Sequence, residues 1–234
     1  MVIEIKELIE RNKLLELCEY LQELNSVDVA NQLMDLEDEE LVLVFRVLPK
    51  DIAAEVFSYL DKDSQQHIVE SITDREVTQI VDKLFLDDTV DFIEELPANV
   101  VKKVIRNTSP QKRELINQFL QYAQYSAGSI MTIEFVDLKA YMTVKEAINH
   151  TRKTGTTKET LETCFIIDQA RHLLGSVTLK DLILSEDDMI IEDIMDTNLI
   201  SVQTSVDQEE VAHLFKAYDL VTMPVVDKEN RLVG

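Results

Sequence analysis

From residue 24 to residue 120, apolar side chains return every twelve positions: Leu24, Leu36, Leu48, Leu60, Ile72, Leu84, Leu96 and Leu120, with polar Thr108 interrupting the series. Three and four positions earlier stand Val44/Phe45, Val56/Phe57, Ile68/Val69, Ile80/Val81, Phe92/Ile93 and Val104/Ile105. That i, i+3, i+4 grouping predicts one face of a short amphipathic helix in each period. Cap and turn residues separate the groups: Pro49-Lys-Asp51, Asp61-Lys-Asp63-Ser64, Thr73-Asp74, Leu86-Asp87-Asp88, Pro97-Ala-Asn99 and Ser109-Pro110. Asp, Ser and Thr accept from the unpaired N–H groups of a helix start, and proline fits the first turn, where its missing donor costs nothing. Helices of about two turns are too short to stand alone, so neighbours must stack. A constant twelve-residue period predicts an α-solenoid of stacked short helices over residues 1–127, whereas an ordinary bundle would need no fixed period.

Near Gly128 the pattern changes to short β-branched runs, such as Thr163-Cys-Phe-Ile-Ile167 and Thr222-Met-Pro-Val-Val226. Two segments align. Ile130-Met131-Thr132 matches Ile194-Met195-Asp196, and Phe135-Val136-Asp137-Leu138 matches Leu199-Ile200-Ser201-Val202. Capping-box patterns then open a helix in each, at Thr143-Val-Lys-Glu146 and Ser205-Val-Asp-Gln208. Ile166-Ile167-Asp168 precedes Leu173-Leu174-Gly175 as Val225-Val226-Asp227 precedes Leu232-Val233-Gly234, predicting a hairpin in both copies.

Composition narrows what this arrangement could do. All four glycines lie at or after Gly128, which leaves the helical half to turn without glycine and leaves little for a phosphate-cradling loop. Cys18 and Cys164 are too few and too far apart for a disulfide framework or a thiolate metal site. The four histidines, His67, His150, His172 and His213, have no Cys or carboxylate partner at ligand spacing, and no hydrolase, redox or nucleotide-loop motif is present. The residues therefore predict no enzyme. The longest apolar stretch, Leu41–Phe45, is broken by Arg46, far short of the roughly 20 residues a bilayer requires. With no signal-like start either, the expectation is a soluble, cytosolic chain.

The 23 Lys and Arg against 45 Asp and Glu give a formal charge of −22. Nucleic acid and anionic membrane surfaces are poor partners for such a chain. Residues 1–127 hold 13 basic against 26 acidic side chains, a charge of −13, and residues 128–234 hold 10 against 19, a charge of −9. Both halves therefore repel one another unless cations intervene. Acidic residues cluster at Asp87, Asp88, Asp91, Glu94 and Glu95, at Asp207, Glu209, Glu210 and then Asp219, and at Glu37–Glu40 and Glu186–Asp188. Asp87/Asp91 and Asp91/Glu95 are i, i+4 pairs sharing a helix face. Any one cluster reads either as a solvated face or as an oxygen-only site for a hard cation, Mg2+ or Ca2+.

The second half resembles a pair of cystathionine-β-synthase (CBS) domains, on the segments "IMT", "FIID…LLGSVTLKDLI" and "MPVVDKENRLVG". The whole chain, a glycine-free helical region ending in "LFLDDTVDFIEELP", then "YSAGSIMT" and the CBS pair, resembles the cytosolic region of MgtE-type magnesium channels and transporters. The resemblance implies an α plus α/β fold: a right-handed helical superhelix over 1–127, then CBS domains at 128–190 and 191–234. The second would be truncated, because the family continues past the position of Gly234 with a strand and a final helix. It also implies a homodimer through the CBS domains, attached to a transmembrane pore domain at the cytoplasmic face of the cell membrane. Mg2+ held between the helical and CBS surfaces would close the pore.

Carried over by motif, the metal ligands are Glu55, Asp87 and Asp91, with Gly128 offering a carbonyl, and Asp207, Glu209 and Asp219 on the CBS side. Gly175-Ser-Val-Thr178-Leu-Lys-Asp181 matches a family pattern in which the hydroxyl and carboxylate, here Thr178 and Asp181, hold the ribose and phosphates of an adenine nucleotide such as ATP. Thr178 is equally a good helix N-cap. The alternative function is an adenine-nucleotide-sensing CBS module whose helical domain binds a protein, and a purely structural scaffold is the third.

Overall fold

Helices begin at a constant interval throughout the first half, as the twelve-residue pattern requires. In the computed structural model, which describes residues 2–94 and 96–234, a first helix α1 (Val2–Glu10) is followed by α2 (Leu14–Gln22), α3 (Ser26–Met34), α4 (Asp38–Val47), α5 (Lys50–Ser58), α6 (Lys62–Ser71), α7 (Asp74–Val81), α8 (Leu86–Glu94), α9 (Ala98–Arg106) and α10 (Pro110–Phe119). From α2 onward each start lies twelve residues after the last. The chain folds as two units: one runs up to Leu84 and includes Asp88–Asn117, and the other comprises Phe85–Asp87 and Gln118–Gly234.

In the first unit most of the packing skips one helix, α2 on α4, α3 on α5, α4 on α6, α5 on α7 and α7 on α9, alongside contacts of α1 with α2, α3 with α4 and α6 with α9. Such i to i+2 packing is how helices of 8–10 residues bury a face, since each supplies one side of its neighbour's groove. The periodic leucine falls just past each helix, in the turn, rather than on it. Leu48, Leu60, Ile72 and Leu84 are 4–6% exposed there. A residue in the turn seals the gap between stacked helices. Thr108 does the same at 4% exposure by donating its hydroxyl to the Val104 carbonyl at 2.8 Å. Leu120, 39% exposed, departs from the pattern. Phe57 is fully buried at the centre of this unit, against Phe45 (ring centroids 6.0 Å) and edge-to-face on Phe92 (4.9 Å).

After α1 the turn is made by Asn12 in the left-handed conformation (φ 53°), and most later helices stop in ordinary backbone regions that need no glycine. Leu48 and Ile72 end α4 and α6 in extended conformation, while Glu23, Asp35, Tyr59 and Asp82 end theirs within the helical region. Starts are capped as expected at Asp61, whose carboxylate accepts from the Ser64 N–H, and at Thr73, which forms a capping box with Glu76. Pro49 and Pro97 occupy the cap position itself. The open carbonyls at the helix ends are met by lysines from later in the chain. Lys103 donates to Val69 and Ile72 (2.6 and 2.7 Å), and Lys112 to Val81 and Leu84 (2.5 and 2.6 Å). Each ammonium thus meets the negative end of a helix dipole.

The second unit holds the short helix α11 (Ala127–Ile130), β1 (Val136–Leu138), α12 (Val144–Thr154), β2 (Thr163–Ile167), β3 (Leu173–Thr178), α13 (Leu179–Leu184), α14 (Ile191–Ile194), β4 (Val202–Gln203), α15 (Gln208–Tyr218) and β5 (Val225–Val226). β1 and β2 pair in parallel across the α12 crossover, and β2 and β3 form the antiparallel hairpin. β2 reads as an unbroken apolar run because both its faces are covered. Cys164 and Ile166 enter one core with Leu138, Val144 and Leu182; Phe165 and Ile167 enter another with Phe135 and Leu232. Leu232 comes from the second copy, so this core is shared between copies. In that second copy β4 pairs in parallel with β5, and the hairpin closes through a bridge between Val226 and Leu232.

The two copies exchange their first segments. A Cβ on Gly175 would lie 3.0 Å from the Met195 sulfur and 2.8 Å from the Asp196 carbonyl oxygen, and one on Gly234 would lie 2.5 Å from the Met131 sulfur. Each copy's methionine therefore packs on the other copy's hairpin glycine. The hairpin tips also clasp: His172 bridges Arg231, Leu173 N–H donates to the Asn230 carbonyl, and Arg171 and Leu232 exchange bonds. Arg171 and Asn230 hold matching left-handed conformations, with φ of 70° and 60°.

Two expectations need correction. The helix of the second copy opens at Asp207, not Ser205; Asp207 accepts from the Glu209 N–H at 2.8 Å and corresponds to Thr143 at the repeat's own 64-residue offset, set by Met131 and Met195. His172 does have a carboxylate partner. Its Nδ1 lies 2.8 Å from Asp168, whose other oxygen accepts from the Ala170 and His172 N–H groups, so the pair organises the hairpin turn.

Candidate functional site

The carboxylates singled out by the sequence sit mostly at helix ends, where the backbone field affects what they can hold. Glu55 is exposed in the last turn of α5, the end that favours a nearby cation. Asp87 and Asp91 are one turn apart on α8, about 5–6 Å between Cβ atoms. Asp87 is half-buried with Oδ1 shielded from solvent, and it belongs to the second unit, where the neighbouring Leu86 N–H donates to Glu134 at 3.3 Å. Asp91 belongs to the first unit. Although exposed, Asp91 is crowded enough that desolvation raises its carboxyl above the usual range, with Lys62 opposing the shift. An added positive charge would relieve that desolvated carboxylate. Glu95 lies outside the described residues.

On the second unit, Asp207 and Glu209 are exposed at the start of α15 and Asp219 is exposed at its end. Asp207 and Asp219 are twelve residues apart along the helix, about 18 Å at 1.5 Å per residue, too far for one protomer's pair to share an ion. The two ends also differ electrically. Asp207, as N-cap, meets the positive end of the dipole, whereas Asp219 is the left-handed C-cap (φ 51°), where a cation is favoured. Gly128 is buried in α11 and its N–H donates to the Thr204 carbonyl at 2.9 Å. Among the described residues no three His, Cys, Asp or Glu side chains already converge as a metal cage. The donors are oxygen only. That fits Mg2+, which keeps several waters and takes one or two carboxylates at a site, better than an ion needing a full protein cage.

Thr178 and Asp181, the positions expected to hold a nucleotide, stand at the start of α13. Thr178 caps α13 and forms a capping box with Asp181, so both side chains are engaged at the helix start. The second unit does contain an apolar cavity of about 200 Å3, lined by residues including Met131, Phe135, Phe165, Phe215, Met223 and Gly234, with Thr132, Thr160 and Thr222 among its polar groups. It lies where Met131 meets Gly234, whereas Thr178 and Asp181 follow Gly175, at the other exchange contact. The residues predicted to hold ribose and phosphate therefore do not line this cavity.

Sequence and structure comparisons agree over the whole chain. The MgtE intracellular N domain profile matches residues 24–125 and the CBS domain profile matches residues 191–234. A crystal structure of the cytosolic domain of the Mg2+ channel MgtE in complex with ATP superposes with a TM-score of 0.93 at 31% identity, covering 100% of this chain and 96% of that one. The chain belongs to the MgtE family. It corresponds to the cytosolic region of MgtE, as a second structure, of the soluble part of a magnesium transporter, also indicates (TM-score 0.91, 26% identity, 100% and 92% covered). The magnesium transporter MgtE of Thermus thermophilus is 31% identical over 100% of this chain and 53% of its own length; that of Bacillus subtilis is 25% identical over 100% and 52%. The chain thus spans about half the length of the curated MgtE relatives it matches. No helix among the described residues is long and apolar enough to cross a membrane.

Proposed function

We propose that this chain is the Mg2+-sensing regulatory region of a magnesium channel or transporter. It binds Mg2+ between the acidic surface of the helical unit and that of the CBS pair, residues 128–190 and 191–234, and so closes a pore domain attached to it. Glu55, Asp87 and Asp91 would act from one side and Asp207, Glu209 and Asp219 from the other, with the Gly128 carbonyl as a further donor. The carrying observation is the match along the full chain to the cytosolic domain of a Mg2+ channel. The local physics supports it: Glu55, Asp91, Asp207, Glu209 and Asp219 all reach solvent. Charges of −13 and −9 oppose close approach of the two halves until divalent ions bridge them. Shifting a two-state equilibrium from 1:99 to 99:1 takes about 5.5 kcal/mol, or about 1.4 kcal/mol from each of four ions, so weak sites suffice. The CBS domains would pair as a homodimer. Small-angle scattering and limited proteolysis in chelator and then in millimolar Mg2+ test the reading: compaction and protection are expected, and unchanged dimensions and cleavage would overturn it.

A second reading is favoured by one observation, the apolar cavity in the second unit, together with ATP in the related structure. An adenine nucleotide seated there would act alongside Mg2+, or in its place if the helical unit serves to bind a protein. Nucleotide titration by calorimetry, with and without Mg2+, separates these; binding without any Mg2+-dependent compaction favours the nucleotide sensor.

A further inference from the structure

The linker between the last helix of the solenoid and the first CBS strand lies along the start of α15, where Asp207 and Glu209 project. Its hold is made of backbone. Ala127 N–H donates to the Val206 carbonyl (2.7 Å), Gly128 N–H to Thr204 (2.9 Å), Gln208 N–H to the Tyr125 carbonyl (2.8 Å), and Ser126 bridges Asp207. Tyr125 adopts a left-handed conformation (φ 61°) to place that carbonyl, and buried Ser126 folds the strip back by donating its hydroxyl to Ala123 at 2.7 Å. One side chain clamps the strip. The Tyr122 ring stands edge-on to Phe119 (5.6 Å, 89°), beside the space where Gly128 lacks a side chain. A Cβ there would fall 2.7 Å and 2.8 Å from Tyr122 ring carbons and 3.1 Å from the Thr204 oxygen. The atoms met are Cγ and Cδ1, at the root of the ring, and Phe119 backs it, so the ring yields less readily than the tip of a flexible chain.

We propose that Gly128 and Tyr122 form a latch that positions the Asp207–Glu209 turn, Gly128 acting through its missing side chain. This rests on the Mg2+-sensing reading for its functional consequence, but the latch itself does not. A glycine carbonyl used as a ligand survives substitution by alanine; a space reserved for a ring does not.

A double-mutant cycle on the full 234-residue chain tests it. Wild type, Gly128→Ala, Tyr122→Ala and the double variant are compared by hydrogen exchange at residues 125–128 and 204–208, and by the Mg2+ midpoint of proteolytic protection. With Tyr122 present, Gly128→Ala should speed exchange there at least tenfold and raise the Mg2+ midpoint at least fivefold. In the Tyr122→Ala background only the 3.1 Å approach to the Thr204 oxygen remains, so the same change should alter exchange by no more than about threefold and the midpoint by no more than about twofold. Equal effects of Gly128→Ala in both backgrounds, or none in either, overturn the latch. A shift in melting temperature without any change in local exchange also overturns it, because that marks Gly128 as merely structural. If wild type shows no Mg2+-dependent protection, the sensing reading fails while the exchange cycle still decides the latch.

Discussion

Substituting Gly175 by alanine puts a methyl group where the two CBS copies exchange segments. The new Cβ would lie 2.8 Å from the Asp196 carbonyl oxygen and 3.0 Å from the Met195 sulfur. Met195 can rotate away, but the Asp196 oxygen is backbone, and it is tied down by the neighbouring residue. Ser176 N–H donates to Asp196 at 2.9 Å and Asp196 N–H donates back to Ser176 at 2.8 Å. Relieving the overlap by a few tenths of an ångström stretches both bonds. Overpacking of a fitted site costs about 1–3 kcal/mol, and two weakened hydrogen bonds add about 0.5–1.5 kcal/mol between them, for about 1.5–4.5 kcal/mol in all. Gly155→Ala is the control. There the new Cβ also meets an atom at 2.8 Å, but that atom is the Leu161 Cδ2 tip, and Gly155 already holds helical angles (φ −63°, ψ −24°). A rotamer change relieves the contact, and alanine restricts the unfolded chain, so the expected effect lies between a small loss and a gain of about 1 kcal/mol. Urea unfolding of both variants provides the measurement: at about 2 kcal/mol per molar, Gly175→Ala should lower the midpoint by about 1–2 M and Gly155→Ala by much less. Equal midpoints would refute the premise that backbone contacts resist and side-chain tips yield.

Three further outcomes are expected. Phe57→Ala, which empties a fully buried aromatic site between Phe45 and Phe92, should destabilise by about 3–5 kcal/mol in thermal or urea unfolding; a loss below about 1 kcal/mol would mean the stacked helices collapse onto the gap. The hydrogen bond from His172, opposed by some desolvation and assisted by two backbone N–H groups, lowers the Asp168 pKa. Its contribution is therefore present above the unfolded carboxyl pKa and lost as pH falls through the lower folded one, so Asp168→Asn and wild type should differ in stability near neutrality and converge in acid; a constant difference would contradict this. Asp91→Asn removes a carboxylate whose charge is partly desolvated, so without Mg2+ it should leave stability unchanged or slightly raised, while the Mg2+ midpoint for protection rises severalfold; an unmoved midpoint would remove Asp91 from the metal set.

Much of the fold can be read along the chain because it is repetitive. Helix starts at twelve-residue intervals follow directly from caps and apolar pairs, and Thr143, Thr73 and Asp61 cap where local rules place them. The departure at Ser205 is not legible locally: Asp207 is an equally competent cap, and it is Asp207 and the next residue, Gln208, that meet the distant linker at Ser126 and Tyr125. The partner of His172 escapes sequence reading because Asp168 lies across a tight turn and not on a helix face, so the four-residue spacing carries no helical signal.

The carboxylates show the division most clearly. Their identity, their excess and their helical spacing are properties of the chain itself, and these alone disfavour nucleic acid and a thiolate metal, leaving a solvated acidic face or a site for a hard cation. Which of them stand together is not a chain property. Asp207 and Asp219, one cluster in the sequence, are separated by the length of α15, and of Asp87 and Asp91, one turn apart on α8, Asp87 has an oxygen shielded from solvent while Asp91 is exposed. The lysines that close α6 and α7, and the methionines that cross between CBS copies, likewise meet their partners only after folding. Local sequence specifies where a helix begins and which face is apolar, because those energies come from neighbours within about four residues. Distances across the fold depend on how the apolar faces stack, and that is settled by packing among residues far apart in the chain.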